Sequence, residues 1–328
     1  MIHLLYVMLV LYVVLPIEAS EAAPVEAPST PTIELLEEVP PPSDITEELD
    51  ASAEVEPPNA LPQTDSPDTS ARAERENYWA NLGYTLQFDH SVSTTDFGRS
   101  GKDFLTDRNG WANGNPTHTN SINESLISFT TAPDGSPAMR SRFNVGDQQS
   151  VNWRGQQLGQ ENKNKDAVFS IEVWADAPRT IQSYIGAGHY WGSRPGVIHA
   201  PGGAVNFNDA WTIRAVLHPE GTIRGYIYEA RSPSSAAFGT VIPGTEVLPT
   251  NQWVLIESEV ISNTPASSAN GILRTIVNGV TSNETTGIIL RQHDDVYPKG
   301  QGMLIRNNAR ATKVETVYIR NWRIYTKP

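Results

Sequence analysis

From residue 77 to the C-terminus the chain is written in short runs of alternating apolar and polar residues, divided by clusters of Gly, Pro, Asn and Asp. A period of two marks strands with one face on a core, and the turn clusters mark their ends. The runs lie at 83–89, 125–131, 138–144, 167–175, 211–217, 222–230, 252–261, 271–279, 302–308 and 314–326. Neither a long helical period nor an internal repeat interrupts them. So many strands at this spacing predict an all-β, two-sheet β-jelly-roll sandwich over residues 77–328, with one curved sheet forming an open groove.

The stretch Thr212 to Ala230, TIRAVLHPEGTIRGYIYEA, fixes a register. A three-residue loop Pro219-Glu220-Gly221, a type I turn closed by a left-handed Gly, pairs His218 with Thr222. The ladder then sets residue 216 opposite 224, 214 opposite 226 and 212 opposite 228. Thr212, Arg214, Arg224, Tyr226 and Tyr228 share one face, and Ile213, Ala215, Leu217, Ile223, Gly225 and Ile227 share the other, in the core. A two-residue loop would instead bury the charge of Arg214 among apolar residues, at a serious cost. The expected result is an exposed platform of guanidinium groups beside two phenols, suited to an anionic, hydroxyl-rich ligand such as an acidic polysaccharide.

Before residue 77 the pattern is different. Residues 4–17, LLYVMLVLYVVLPI, form an apolar run too short for a comfortable membrane span, and small residues follow it. This reads as a secretory signal over residues 1–19, with an uncleaved N-terminal anchor as the alternative. Residues 20–76 read as a disordered, acidic, Pro-rich linker. Of the 37 acidic residues sixteen fall between Glu18 and Glu76, against only Arg72 and Arg75, so the net charge of −13 belongs to the linker. The remaining 21 acids and 22 bases leave the folded part near neutral, which does not suggest nucleic-acid binding. There is no cysteine, which excludes disulfides, thiolate metal sites and a cysteine nucleophile.

Several chemistries lack their residues. No phosphate loop, dinucleotide fingerprint or nucleophile-elbow motif occurs. The pair Glu257 and Glu259 has no third acid on its strand and reads as surface rather than as a hydrolase dyad. His293-Asp294-Asp295 is too sparse to define a metal site; it reads as a solvated loop, and no cofactor is required, though a structural cation stays open.

The order of segments AMRSRFNVGD (138–147), FSIEVWAD (169–176), GHYWGSRPGV (188–197), Trp211-Thr212-Ile213-Arg214, Tyr226-Ile227-Tyr228, Asn263-Thr264-Pro265, Asn278-Gly279 and YIRNWRIYT (318–326) resembles the alginate and glucuronan lyases of the jelly-roll type, polysaccharide lyase family 14, with a concanavalin-like sandwich. The likeness covers about 190 residues. In that family a Trp-Ser-x-Arg segment is followed by a Tyr-x-Tyr pair, and the hairpin register that the turn predicts is the one this resemblance would require. A Lys-Leu-Pro-Gly segment of the family is here Ser193-Arg194-Pro195-Gly196. Arg194 could replace that lysine in neutralising a carboxylate but not as a base, because Arg keeps its proton.

The resemblance implies an exported lyase that cleaves a uronic-acid polysaccharide by β-elimination. It implies Arg214 on the C5 carboxylate, with Arg194 and Gln156 assisting, and Tyr226 or Tyr228 moving the proton. Arg214 and Arg224 would stabilise a tyrosine anion. His189 is the other candidate base or a hydrogen-bonded histidine. Trp191 and Tyr190 would stack on sugars or pack in the core. Arg154 would bind a carboxylate or stand in a solvated loop, and Thr212 keeps the family's hydroxyl. A non-catalytic carbohydrate-binding module on the same fold is the rival reading. The expected partner is the anionic polysaccharide, met by a monomer without nucleic acid or membrane insertion of the mature domain.

Overall fold

A computed structural model describes residues 68–328 apart from 101–120, 123, 148, 155–157, 159–161, 177–182, 185–188, 198–207, 219–220, 233–238 and 308–309. The leader and most of the acidic segment lie outside the described residues. One α-helix, α1 (Asp68–Asn81), precedes the strands. These are β1 (Thr85–His90), β2 (Ser121–Ile122), β3 (Ile127–Thr131), β4 (Pro137–Phe143), β5 (Gln149–Arg154), β6 (Asp166–Ala175), β7 (Ser183–Tyr184) and β8 (His189–Ser193). There follow β9 (Ala210–Leu217), β10 (Ile223–Tyr228), β11 (Thr240–Ile242), β12 (Trp253–Ile261), β13 (Gly271–Val277), β14 (Val280–Ile288), β15 (Tyr297–Asn307) and β16 (Glu315–Lys327).

They form two sheets. The first has the order β14-β13-β12-β6-β16-β4-β3, with β1 also on β16; the second has the order β11-β10-β9-β7-β15-β5-β2, with β8 between β9 and β15. Every strand predicted from the alternating pattern is present. The two-sheet all-β architecture is therefore the one expected.

Period two explains the core. Phe169, Ile171 and Val173 of β6, Val254 and Ile256 of β12 and Ile319 and Ile324 of β16 face Tyr190, Trp211, Ile213, Ala215 and Ile227 of the second sheet in one buried cluster. Asn321, at φ 57°, sits where the β16 register shifts between Arg320 and Arg323. This bulge keeps Ile319, Trp322 and Ile324 all inward, because the extra residue resets the alternation. At Gly192 a Cβ would fall 2.4 Å from the Trp211 ring, so only glycine lets β8 pass that indole.

The outer face of the first sheet is covered in part, against expectation. Helix α1 begins in residues assigned to the linker, nine residues before the predicted domain boundary at residue 77. Its Trp79 is fully buried with Tyr84, Val168, Ile276 and Tyr325. The helix ends at Gly83, whose φ of +85° suits a left-handed C-terminal cap. Glu257 and Glu259, read as surface, are also buried, at 1% and 6% exposure. Glu257 accepts hydrogen bonds from Arg75 at 2.5 Å and the Trp79 indole at 2.6 Å, and Glu259 from Tyr84 at 2.9 Å and Arg274 at 2.7 Å. The correction has a plain cause: strand alternation places both acids outward, and it is silent about a helix that comes to lie on them.

Candidate active site

Strands β9 and β10 pair as the turn predicts: Val216 opposite Arg224, Arg214 opposite Tyr226 and Thr212 opposite Tyr228. The His218 amide donates to the Thr222 carbonyl at 3.0 Å, and Gly221 takes φ +86° to close the loop. Arg214 and both tyrosines therefore converge. The guanidinium carbon of Arg214 stands 5.5 Å from the centre of the Tyr226 ring and 5.4 Å from that of Tyr228. The two phenol oxygens are 3.3 Å apart, and the rings meet edge to face at 71°. Trp191 on β8 is set opposite Thr212 and joins the same face.

The platform is not exposed. Arg214 is 8% exposed, Tyr226 3% and Tyr228 2%. One contact that covers it is visible: beside β10, at the entry to β11, the Gly239 amide donates to the Tyr226 phenol oxygen at 2.5 Å. A Cβ at Gly239 would fall 2.9 Å from that ring and 2.4 Å from the Ile227 carbonyl, so glycine permits the approach. Sequence reasoning missed this donor, whose only trace is a Gly in a loop. A charge held here among ring faces gains cation–π attraction that a watery platform would weaken.

Other candidates fall elsewhere. Tyr190 belongs to the core: it is opposite Ile213, fully buried, and stacked on Phe169 of the facing sheet at 4.5 Å. Its full burial keeps it from a sugar, and burial also pushes its phenol above the ordinary tyrosine range, so it holds its proton. Alternation decides this, since Tyr190 lies one residue from Trp191. Arg194 is committed to Asp295 at 2.9 Å and Asp209 at 3.2 Å; two carboxylates already neutralise the charge expected to bind substrate. Ser193, at the position of the family lysine, donates its hydroxyl to the Val197 carbonyl at 2.9 Å and closes a turn. Arg224 donates to the Thr222 hydroxyl at 3.3 Å, beside the tyrosines on the same strand. His189 opens β8 opposite Gly302, and Arg154 ends β5 opposite the same residue. The side chains of both, and the whole of Gln156, lie outside the described residues.

His293 approaches Asp209 at 3.5 Å, Asp294 pairs with Arg291 at 3.4 Å, and Asp295 pairs with Arg194. The acids of that loop are thus engaged in ion pairs. Among the described residues no group of three or more His, Asp or Glu side chains could hold a metal ion.

No family model and no curated protein sequence matches the chain. Solved structures do. The marine PL-14 alginate lyase of Aplysia kurodai superposes with a TM-score of 0.61 at 15% identity, over 74% of this chain and 99% of that one. The fold is that of the alginate lyases. The lyase vAL-1 of Chlorella virus matches at 0.50 and 16% identity, over 61% and 88% of the two chains. Alginate lyase Aly36B matches at 0.51 and 15%, over 73% and 97%, and a variant of it solved with an alginate trisaccharide matches at 0.52 and 14%, over 74% and 100%. At such identities the alginate-lyase likeness extends to the backbone, and any activity has to be argued from the side chains.

Proposed function

We propose that the chain is a polysaccharide lyase that cleaves a uronic-acid polymer, alginate or glucuronan, by β-elimination. The observation that carries this reading is the convergence of Arg214, Tyr226 and Tyr228 on one face of the β9–β10 hairpin, with the two phenol oxygens in mutual reach.

The chemistry asks for three things. The C5 proton is weakly acidic because the neighbouring carboxylate is already negative, so that carboxylate must be neutralised as the enediolate develops. Arg214 takes this role. A base must then remove the proton, and an acid must protonate the oxygen leaving C4. Tyr226 is the base, because a phenolate needs donors and positive charge nearby: its oxygen accepts from the Gly239 amide at 2.5 Å, and the Arg214 guanidinium lies 5.5 Å from its ring centre. The C5–H electron pair becomes the C4=C5 double bond, the C4–O bond breaks with its pair on oxygen, and Tyr228 gives that oxygen a proton. Proton exchange between the two phenols restores the start. Trp191 lies on the same face opposite the fully buried Thr212, and His189 remains the second candidate base.

Absorbance near 235 nm, where the unsaturated product absorbs, tests this with polymannuronate, polyguluronate and glucuronan as separate substrates. The reading requires a rise on at least one polymer that Tyr226→Phe abolishes. Export belongs to the same proposal. No helix among the described residues is long and apolar enough to cross a membrane, and N-terminal sequencing of the protein recovered outside the cell would locate a cleavage after residue 19.

A further inference from the structure

The outer face of the first sheet carries a row of side chains that neither the core nor the candidate active site uses. Trp253 of β12 is directly opposite Trp174 of β6, Trp174 is opposite Tyr318 of β16, and Tyr318 is opposite Arg140 of β4. Their neighbours Val254, Val173, Ile319 and Met139 all lie in the core, so alternation turns the whole row outward. Trp253, Tyr318 and Arg140 are half-buried, and Arg142, two residues along β4, is exposed. With adjacent strands about 4.8 Å apart, the row spans about 14 Å from Trp253 to Arg140, a length that takes a few sugar rings of an extended chain.

The row is built as a platform. The two indoles meet edge to face at 5.8 Å, the Trp253 N–H donates to Asp134 at 2.7 Å, and Arg320, held by Glu172, lies 4.0 Å from one face of the Trp253 ring. Cross-strand aromatic pairs also stabilise a sheet, but that role does not call for a solvent-facing tyrosine between a tryptophan and an arginine. The Nε of Arg140 is buried and makes no hydrogen bond. Beside Trp253, between the sheet and α1, opens a cavity of about 360 Å³ with Leu255, Arg72, Arg75 and Arg323 in its walls. Of the carboxylates nearby, Glu172 is engaged by Arg320 and Asn321 and Asp134 by Trp253 and Ser136; Asp176 stands beside Trp174 and Tyr318, and Glu74 lines the cavity. The row thus offers aromatic surface flanked by arginines at both ends.

We infer that this face is a second binding surface for the same carboxylate-bearing polysaccharide, with Trp253 and Tyr318 stacking on sugar rings and Arg140 pairing with a uronate carboxylate. The ligand class rests on the proposed function, and the surface itself rests on the row. It holds a polymer on the side of the sandwich opposite the core-facing side chains, away from the β9–β10 hairpin.

The test uses the full chain with Tyr226→Phe as background, so that bound polymer stays intact. Affinity electrophoresis on polymannuronate, polyguluronate and glucuronan compares this background with the same chain carrying Tyr318→Ala and Arg140→Ala. Binding should weaken by about tenfold or more. Arg140→Glu alone, a change at a half-exposed position, should weaken it in the same direction and guards against a folding defect, which thermal melting would reveal. Equal retardation of all forms overturns the inference. Because binding is read without turnover, a failure of the lyase reading shows as an absent 235 nm signal and leaves this comparison intact.

Discussion

Arg214 keeps a full charge at 8% exposure, and a buried guanidinium is tolerated only where its surroundings answer the charge. Two phenol rings at about the same distance from it, their centres 5.4 Å apart, do so. Arg214→Lys retains the charge but loses the planar fork that grips a carboxylate. Its kcat/KM should fall about 100-fold or more, and Tyr226→Phe should cost about 100- to 10,000-fold, the usual worth of a positioned acid or base. Both are read from initial rates at 235 nm with melting temperature as the control. The facing of these residues was legible because Pro219-Glu220-Gly221 admits a three-residue turn and the other register buries an arginine among apolar side chains. Their burial was not legible, since Gly239 reaches Tyr226 from beyond the hairpin. Tyr190 and Glu257 show the same limit from opposite sides. A tyrosine fits either face of a strand, and an acid that alternates outward is exposed only if nothing docks over it.

Glu257 also makes a pH prediction at this scale. Burial raises its folded-state pKa, and Arg75 and Trp79 only partly offset that. Folding therefore takes up a proton here: the contribution is complete below the unfolded value of about 4.3 and is lost as pH rises through the raised folded value. The melting temperature of the native chain should lose an increment, as pH rises above the ordinary carboxyl range, that Glu257→Gln lacks. Parallel pH profiles for the two proteins would contradict this.

At the scale of elements, the strongly alternating strands were all readable, and those that escaped notice have identifiable reasons. Strand β14, VTSNETTGI, is an edge strand with few apolar residues; β7 and β2 have two residues each and β11 three, and β5, QSVNWR, has only Val151 and Trp153 as apolar residues. Strand β8 packs a glycine under Trp211 where a period-two pattern would place a side chain. Helix α1 escaped because DTSARAERENYWAN shows little amphipathic period and sits in acidic, Pro-rich surroundings. It is attached by one indole and by ion pairs, not by an apolar stripe. Trp79→Ala should therefore cost about 3–5 kcal/mol. A chain beginning at residue 77 should melt well below one beginning at residue 63, because it leaves Glu257 without Arg75, and removing one partner of a buried pair is strongly destabilising. Paired denaturant titrations of the two chains check this.

Over the whole molecule, two antiparallel sheets close one core, and their two outer faces differ. One carries the buried Arg–Tyr–Tyr cluster; the other carries α1 and a row of aromatic and arginine side chains. The folded part is near neutral despite the net charge of −13, so attraction for an anionic polymer comes from where the arginines stand and not from overall charge. The measurement that decides most is the absorbance at 235 nm of the chain from residue 63 onward, incubated in turn with polymannuronate, polyguluronate and glucuronan. A rise on one of them that is lost in both Tyr226→Phe and Arg214→Ala establishes elimination at the hairpin. A flat trace on all three, from protein that binds the polymers and melts cooperatively, contradicts it and leaves a carbohydrate-binding module on a lyase fold.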